Sequence, residues 1–175
     1  MMKIDLLKNH PQHIPTLASW FKEDSPDYFR DQSLAEIAAE HFASRLNDDV
    51  LPVSFLAYED EIPLGTVALL AESVTTHKHL SPWLGGLYVH PAYRHKGIGS
   101  KLVRAGLEKA VALGFGSIYA GVSRAEQHYL SQGWEVFSRV TYYEKPLSIL
   151  RRKLINEDGS DMLEVNTMMD KKREA

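Results

Sequence analysis

The 175-residue sequence contains no cysteine, and this absence excludes several kinds of chemistry. Without thiols the chain can form no disulfide framework, no thiolate metal site and no acyl-thioester on the protein itself. Any acyl transfer is therefore direct or uses a different nucleophile. With 20 Lys and Arg against 23 Asp and Glu, the chain also lacks the basic excess that is typical of nucleic-acid binding.

Long apolar runs are missing as well, since no stretch approaches the roughly 18 apolar residues that a membrane span requires. The first residues, Met1 to Asp5, lack the apolar core of a secretory signal. We therefore expect a cytoplasmic protein with no membrane partner. The length and a hydrophobic share of 44% fit one domain, predicted over residues 1–154. The charged residues 155–175 are predicted to form a mobile tail.

Hydrophobic periodicity predicts an alternation of short strands and amphipathic helices. Ser33 followed by Glu36 is typical of a capping box at a helix start. A Gly85-Gly86 pair inside an otherwise apolar strand indicates a bulge or a close approach of another backbone or ligand. The predicted strands cover residues 3–7, 53–58, 62–72, 83–89, 117–122, 134–143 and 147–154, and the predicted helices cover 10–21, 33–46, 97–114 and 124–132.

The most informative stretch runs from Leu87 to Leu102. A β-type run ends at Pro91, and a Gly-x-Gly then opens an amphipathic helix. Such a helix start leaves about four N–H groups unpaired and carries roughly half a positive charge, which makes it an anion site. A Rossmann loop would need glycine where Leu102 stands, and the order Gly99-Ser100-Lys101 is wrong for a Walker A loop.

The pattern Arg94-x-x-Gly97-x-Gly99, preceded by Leu-Tyr-Val-His-Pro, resembles the pyrophosphate-binding signature of the GCN5-related N-acetyltransferases, the GNAT superfamily. The order of predicted elements over residues 3–154 resembles the fold of the same superfamily. The resemblance implies an α/β (α+β) fold with a mixed, mostly antiparallel, twisted sheet of about seven strands flanked by four helices.

The resemblance also implies acetyl-CoA (coenzyme A) as co-substrate, with no metal. It places the pyrophosphate against the side chains and backbone of one loop, and it places the pantetheine arm along the backbone of the preceding strand. The implied pyrophosphate-binding residues are Arg94, His95, Lys96, Gly97, Ile98, Gly99 and Ser100, and the implied strand residues are Leu87, Tyr88 and Val89.

A second match is Ala125-x-x-x-Tyr129-x-x-x-Gly133-Trp134. In the superfamily a tyrosine at this position lies near the thioester sulfur and can act as general acid, so the resemblance implies this role for Tyr129. The same tyrosine could instead be a packed helix residue. Many relatives carry an asparagine before this helix, and here Val122 and Ser123 stand in its place.

The sequence does not identify a single residue as the general base. Relatives often carry a carboxylate on the central strand or on the strand before it, and the central strand here has none. Glu72, at the end of the preceding strand, is the first candidate. His77 and His79 follow, because histidine titrates near neutral pH. Each of the three also fits a solvated loop position, and the histidine pair lacks partners for a metal site.

The predicted function is transfer of an acetyl group from acetyl-CoA directly to a primary amine on a small molecule or peptide. Acids and aromatics between residues 20 and 31 would suit a cationic acceptor, although they also fit a polar surface turn. The alternative is a non-catalytic acyl-CoA-binding or sensing module of the same fold. Phosphate-led nucleic-acid binding is disfavoured by the net charge of −3, and a monomer and a homodimer both remain open.

Overall fold

A computed structural model describes residues 1–163 of the chain. The described residues divide into two compact units. The first comprises Met1–Leu69 and Gly86–Gly106, and the second comprises Leu70–Gly85 together with residues 107–163. Each unit has its own buried apolar cluster.

The structure confirms the predicted fold class of a mixed seven-stranded sheet with four α-helices. The strands follow the order β1-β2-β3-β4-β5-β7-β6 in the sheet. In chain order the elements are β1 (Lys3–Leu6), α1 (Ile14–Asp24), α2 (Leu34–His41), β2 (Val53–Glu59), β3 (Ile62–Leu70), β4 (Trp83–Val89), α3 (Ile98–Ala112), β5 (Ser117–Val122), α4 (Glu126–Leu130), β6 (Glu135–Tyr142) and β7 (Lys145–Lys153).

The first unit is built on an antiparallel meander. β1 pairs with β2, and β2 pairs with β3, both antiparallel, which confirms the predicted hairpin. Helices α1 and α2 bury their apolar faces in one cluster, whose fully buried members include Leu17, Ile37 and Leu56. Phe21 and Tyr88 pack against the same cluster while staying partly accessible. Side chains of α1, α2 and β4 therefore pack together in one apolar cluster.

Helix α2 begins with the predicted capping box. The Ser33 hydroxyl accepts a hydrogen bond from the Glu36 N–H at 3.1 Å, and the Glu36 carboxylate accepts one from the Ser33 N–H at 2.8 Å. The helix ends at His41, earlier than the predicted end near Leu46. Phe42 leaves helical geometry, and a 3-10 turn over Ala43–Arg45 follows.

The capping box makes a stability prediction. We expect Ser33→Ala to lower the free energy of unfolding by about 1 kcal/mol, because the Glu36 N–H loses the hydroxyl that accepts its hydrogen bond. Urea denaturation followed by circular dichroism measures this change. Ser73→Ala, at an exposed loop serine, is the matched control and should leave the midpoint unchanged. Equal midpoints for the two variants would contradict the prediction.

The second unit carries the parallel pair and the last hairpin. β4 pairs with β5 in parallel, with Trp83 opposite Tyr119, as predicted for a strand-helix-strand unit. β5 pairs antiparallel with β7, and β7 with β6. Trp83 is fully buried, and its indole N–H donates to the Leu80 carbonyl at 2.7 Å.

The final hairpin differs from the prediction at its turn. The sequence predicts a turn over residues 144–146, whereas β7 already begins at Lys145. The turn residues are Tyr143 and Glu144, which both have positive φ, at 48° and 63°. Two successive left-handed residues match the twist of a tight hairpin, so the strand starts sooner than Pro146 suggests.

Residues 155–163 form a structured turn after β7. Ile155 and Asp161 make an isolated antiparallel bridge, and the Met162 N–H donates to the Leu154 carbonyl at 2.9 Å. Leu163 is only 1% exposed. The rest of the predicted tail, residues 164–175, lies outside the described residues. Among the helices of residues 1–163, none has the length and apolar composition to cross a membrane.

Candidate active site

The loop between β4 and α3 contains two left-handed residues. Pro91 to Tyr93 form a 3-10 turn, capped where the His90 ring nitrogen Nδ1 accepts from the Ala92 N–H at 3.2 Å. His95 then has φ +64° and Gly97 has φ +78°. A left-handed histidine is unusual, whereas glycine adopts this conformation freely. Alternating left-handed residues turn backbone N–H groups toward one side, which is typical of anion-binding loops.

Among residues 1–163, the first N–H groups of helix α3 precede its first helical hydrogen bond. The first helical hydrogen bond runs from the Lys101 N–H to the Gly97 carbonyl at 3.2 Å. The N–H groups of Ile98, Gly99 and Ser100 therefore precede the first intrahelical donor. The side chain of Ile98 is buried and anchors the helix, so only its backbone can contact a ligand.

The space at Gly99 fits a bound pyrophosphate. A Cβ at this position would meet only Val89 Cγ2, at an ordinary contact distance of 3.7 Å. Protein packing therefore does not require glycine here. The missing side chain leaves the first turn of α3 open to an anion, and this is the fit expected for the phosphate groups of coenzyme A.

Arg94 follows the 3-10 turn, and its side chain contacts the end of β4. Its Nε donates to the Val89 carbonyl at 2.8 Å, and its guanidinium lies 5.6 Å from the centre of the Tyr88 ring. Its positive charge lies in the loop just before the start of α3. Lys96 is exposed in the same loop and adds a second positive charge. The structure thus brings the predicted loop and strand residues together within the first unit.

The second half of β4 is accessible. Trp83 and Leu84 are buried, whereas Gly86 is exposed and Leu87 is 36% exposed in the fourth of seven strands. Gly86 has φ +60°, so the predicted strand anomaly is a left-handed residue. This conformation reorients the backbone where the strand changes from buried to exposed. The N–H and carbonyl groups of Leu87 and Tyr88 follow directly after it.

Arg45 is a residue that sequence reasoning missed. Its Nη1 lies 3.8 Å from the position of a Cβ on Gly86, and its Nη2 lies 3.4 Å from Nδ1 of His41. Arg45 is half-buried, although it ends a 3-10 turn whose first two residues, Ala43 and Ser44, are exposed. Only the structure shows this contact, because the two residues are far apart in sequence and no local pattern distinguishes Arg45.

Tyr129 lies in the second unit, on the short helix α4. Its ring makes an edge contact with Trp134, with centroids 5.5 Å apart. Burial raises the pKa of Tyr129, so its phenol stays protonated at neutral pH. Within residues 1–163, the phenol has no hydrogen-bond partner and is free to donate one.

Glu126 holds α4 in place. Its carboxylate accepts hydrogen bonds from the Ser148 hydroxyl and from Arg139, whose Nη2 lies 2.6 Å from Oε1. The Ser148 hydroxyl and then the Arg139 guanidinium lower the pKa of Glu126. Glu126 therefore stays ionised at neutral pH and fixes the turn of helix that carries Tyr129.

The candidate bases also lie in the second unit. Glu72 is exposed, two residues beyond the end of β3. The rings of His77 and His79 are 5.8 Å apart, and His77 Nδ1 lies 2.8 Å from the Thr76 hydroxyl. Within the described residues, no group of three or more His, Asp or Glu is arranged to hold a metal ion.

Together, the sheet order and the loop at the start of α3 define a protein that binds an anionic ligand beside an exposed central strand. The chain belongs to the acetyltransferase (GNAT) family, whose model matches residues 14–132. This match covers more than half of the sequence, and it confirms the resemblance drawn from Arg94 to Gly99 together with the enzyme class. A search of curated proteins finds no match.

Solved structures show the same fold at low sequence identity. An aminoglycoside 6'-N-acetyltransferase complexed with coenzyme A superimposes with a TM-score of 0.70 at 15% identity, covering 89% of this chain and 98% of that one. A putative acetyltransferase from Salmonella typhimurium with its cofactor acetyl-CoA gives 0.70 at 16%, covering 93% and 99%. A putative phosphinothricin N-acetyltransferase gives 0.66 at 16%, covering 89% and 100%.

Proposed function

We propose that this protein is an acetyl-CoA-dependent N-acetyltransferase that moves the acetyl group directly to a primary amine. The observation that carries the proposal is the loop from Arg94 to Ser100, which opens α3 with left-handed residues, unpaired N–H groups and two cations. The family match and the coenzyme A in one similar structure and the acetyl-CoA in another support the same donor. The absence of cysteine favours direct transfer over an acyl-enzyme.

The loop and β4 divide the binding of the donor between them. The N–H groups of Ile98, Gly99 and Ser100 bind the pyrophosphate, and Arg94 and Lys96 neutralise its charge. The exposed backbone of Leu87 and Tyr88 binds the pantetheine arm. When bound, acetyl-CoA supplies an activated acyl group, and N–H groups of β4 polarise its carbonyl as oxyanion donors.

The amine must lose a proton before it can attack. An alkylammonium with a pKa near 10.4 is neutral in only about one molecule in a thousand at pH 7. Glu72 is the carboxylate we propose as general base, acting directly or through a water molecule. His77 and His79 are the second candidates.

Tyr129 assists the departing sulfur. Because burial raises the pKa of this phenol, Tyr129 is a weaker acid than a thiol, whose pKa is near 8.5. It therefore stabilises the developing thiolate chiefly by donating a hydrogen bond, and it keeps its proton over the neutral range. Its contribution persists to alkaline pH and is lost only when the phenol itself ionises.

The experiment that tests the proposal is a screen of amines with acetyl-CoA, read by the release of free thiol. The panel contains polyamines, aminoglycosides, amino acids and peptide N-termini. Thiol release that depends on one amine class supports the proposal. Tight binding of acetyl-CoA with no release above the rate without amine would instead support the sensing module.

The general base gives a separate prediction. We expect Glu72→Gln to lower kcat/KM about 10²-fold and to remove the acid limb of the pH profile, because an amide cannot accept the proton. Glu157→Gln, at another exposed glutamate, is the matched control and should leave the profile unchanged. A profile that keeps its acid limb in Glu72→Gln would assign the role to a histidine or to water.

A further inference from the structure

Arg45 is a half-buried cation that has no ion pair with an acidic side chain among residues 1–163. In the part of the chain that the structure describes, the only side-chain hydrogen bond of its guanidinium joins it to His41 Nδ1, at 3.4 Å. Burial lowers the pKa of Arg45, and burial together with the Arg45 charge lowers the pKa of His41. The histidine therefore stays neutral. It does not offset the positive charge of Arg45, as a carboxylate would.

The guanidinium of Arg45 lies beside Gly86 of β4. A Cβ on Gly86 would lie 3.4 Å from Phe21 Cζ and 3.8 Å from Arg45 Nη1. Gly86 directly precedes the strand residues proposed to bind the arm of the donor. In the proposed function the pyrophosphate binds in the loop that follows β4, so the arm would run back along the strand and place its acyl end on the Gly86 side of Leu87. Arg45 is thus next to the place where the acceptor amine must enter.

Aromatic rings lie near Gly86, and two acidic side chains act on the neighbouring Tyr88. Phe21 contacts Phe42, and its ring lies 6.2 Å from that of Phe29. Burial raises the pKa of Tyr88, and the carboxylates of Asp24 and Glu23, at the end of α1, raise it further. An ammonium group near Tyr88 would be attracted by these acids, and an anionic group near Gly86 would be attracted by Arg45.

We propose that the acceptor is an amine that also carries a carboxylate, of the α-amino acid class, and that Arg45 binds the carboxylate beside Gly86. This inference rests on the proposed function, and it names the acceptor class of the same site. A guanidinium matches a carboxylate through paired N–H donors, and within residues 1–163 no carboxylate is hydrogen-bonded to Arg45. The positive charge also discriminates against polyamines and other polycationic acceptors, which Arg45 repels.

The test compares each amino acid with its own amide, over small, apolar, aromatic, acidic and basic side chains. The two members of a pair have the same side chain, but the amide is the weaker base because it lacks the carboxylate next to its amine. Each kcat/KM is therefore calculated for the neutral form of the amine, from its own pKa, before the pair is compared. We expect the wild-type protein to prefer the acid by about 10-fold to 100-fold in kcat/KM, as for a charge-assisted hydrogen bond. Arg45→Gln should abolish this preference, and Arg45→Lys should retain part of it.

Two controls separate specificity from folding. The KM for acetyl-CoA should be unchanged in Arg45→Gln, because the donor loop is not altered. Arg30→Gln removes an exposed cation of the same unit, paired with Asp27 at 3.0 Å, and should keep the acid preference. If Arg45→Gln does not fold, the acid-to-amide ratio of kcat/KM in the wild type and in Arg45→Lys still tests the role of Arg45.

The outcomes distinguish this inference from the proposed function. Equal or faster acetylation of the amides, or of polyamines, would overturn the carboxylate assignment and leave the N-acetyltransferase proposal standing. An acid preference that survives in Arg45→Gln would overturn the role of Arg45. Binding of acetyl-CoA with no acetylation of any amine would overturn the proposed function, and this inference with it.

Discussion

Gly99→Glu is expected to weaken acetyl-CoA binding at least about 100-fold, which corresponds to about 2.7 kcal/mol. The carboxylate would lie in the first turn of α3, where it would occupy the space of the pyrophosphate and repel its charge. The fold should survive, because a Cβ at Gly99 meets only Val89 Cγ2 at 3.7 Å and a helix start favours an acidic side chain. Titration calorimetry of acetyl-CoA measures the change.

Two further variants separate charge from steric effects. Gly116→Glu adds the same charge at another glycine with open space and no left-handed φ, and it should bind acetyl-CoA like the wild type. Gly99→Ala adds only a methyl group, so we expect a smaller loss than for glutamate. Wild-type affinity in Gly99→Glu would show that the donor does not bind at the start of α3.

Tyr129→Phe is expected to lower kcat about 10²-fold while leaving the affinity for acetyl-CoA unchanged. The variant keeps the ring against Trp134 and removes only the hydroxyl group, which has no hydrogen-bond partner among residues 1–163. Since the pKa of Tyr129 is raised, the wild-type advantage should persist into the alkaline range. Steady-state kinetics across pH, with calorimetry for binding, measures both effects.

Tyr142→Phe is the matched control for this prediction. Its hydroxyl is already bound to Thr75, at 3.1 Å from the side-chain oxygen and 3.3 Å from the N–H. Its removal should reduce stability slightly and leave kcat unchanged. A Tyr129→Phe enzyme with full kcat would show that another group, or water, stabilises the leaving sulfur.

Features that depend on neighbouring residues were predictable from the sequence. The capping box needs only Ser33 and Glu36 at the right spacing, and the structure contains both of its hydrogen bonds. The turn into α3 was predictable from Gly97, because glycine adopts the left-handed φ of +78° that the chain has there. The mixed seven-stranded sheet with its four helices followed from the resemblance to a known fold.

Features that depend on residues distant in sequence, or on atypical turns, were not predictable. The turn at Tyr143 and Glu144 has the φ values of a tight hairpin but none of the usual Asn or Gly residues, so its position was misassigned. Helix α4 starts at Glu126, later than predicted, after Ala125 adopts a φ of +59°. Arg45 could not be singled out, because its importance depends on the contact with Gly86.

The most direct test of the proposed function is the identity and stoichiometry of the products formed from acetyl-CoA and the best amine of the screen. The proposal predicts one N-acetylated amine for each free thiol released, identified by mass spectrometry and nuclear magnetic resonance. Release of thiol matched by free acetate, with the amine unchanged, would contradict it.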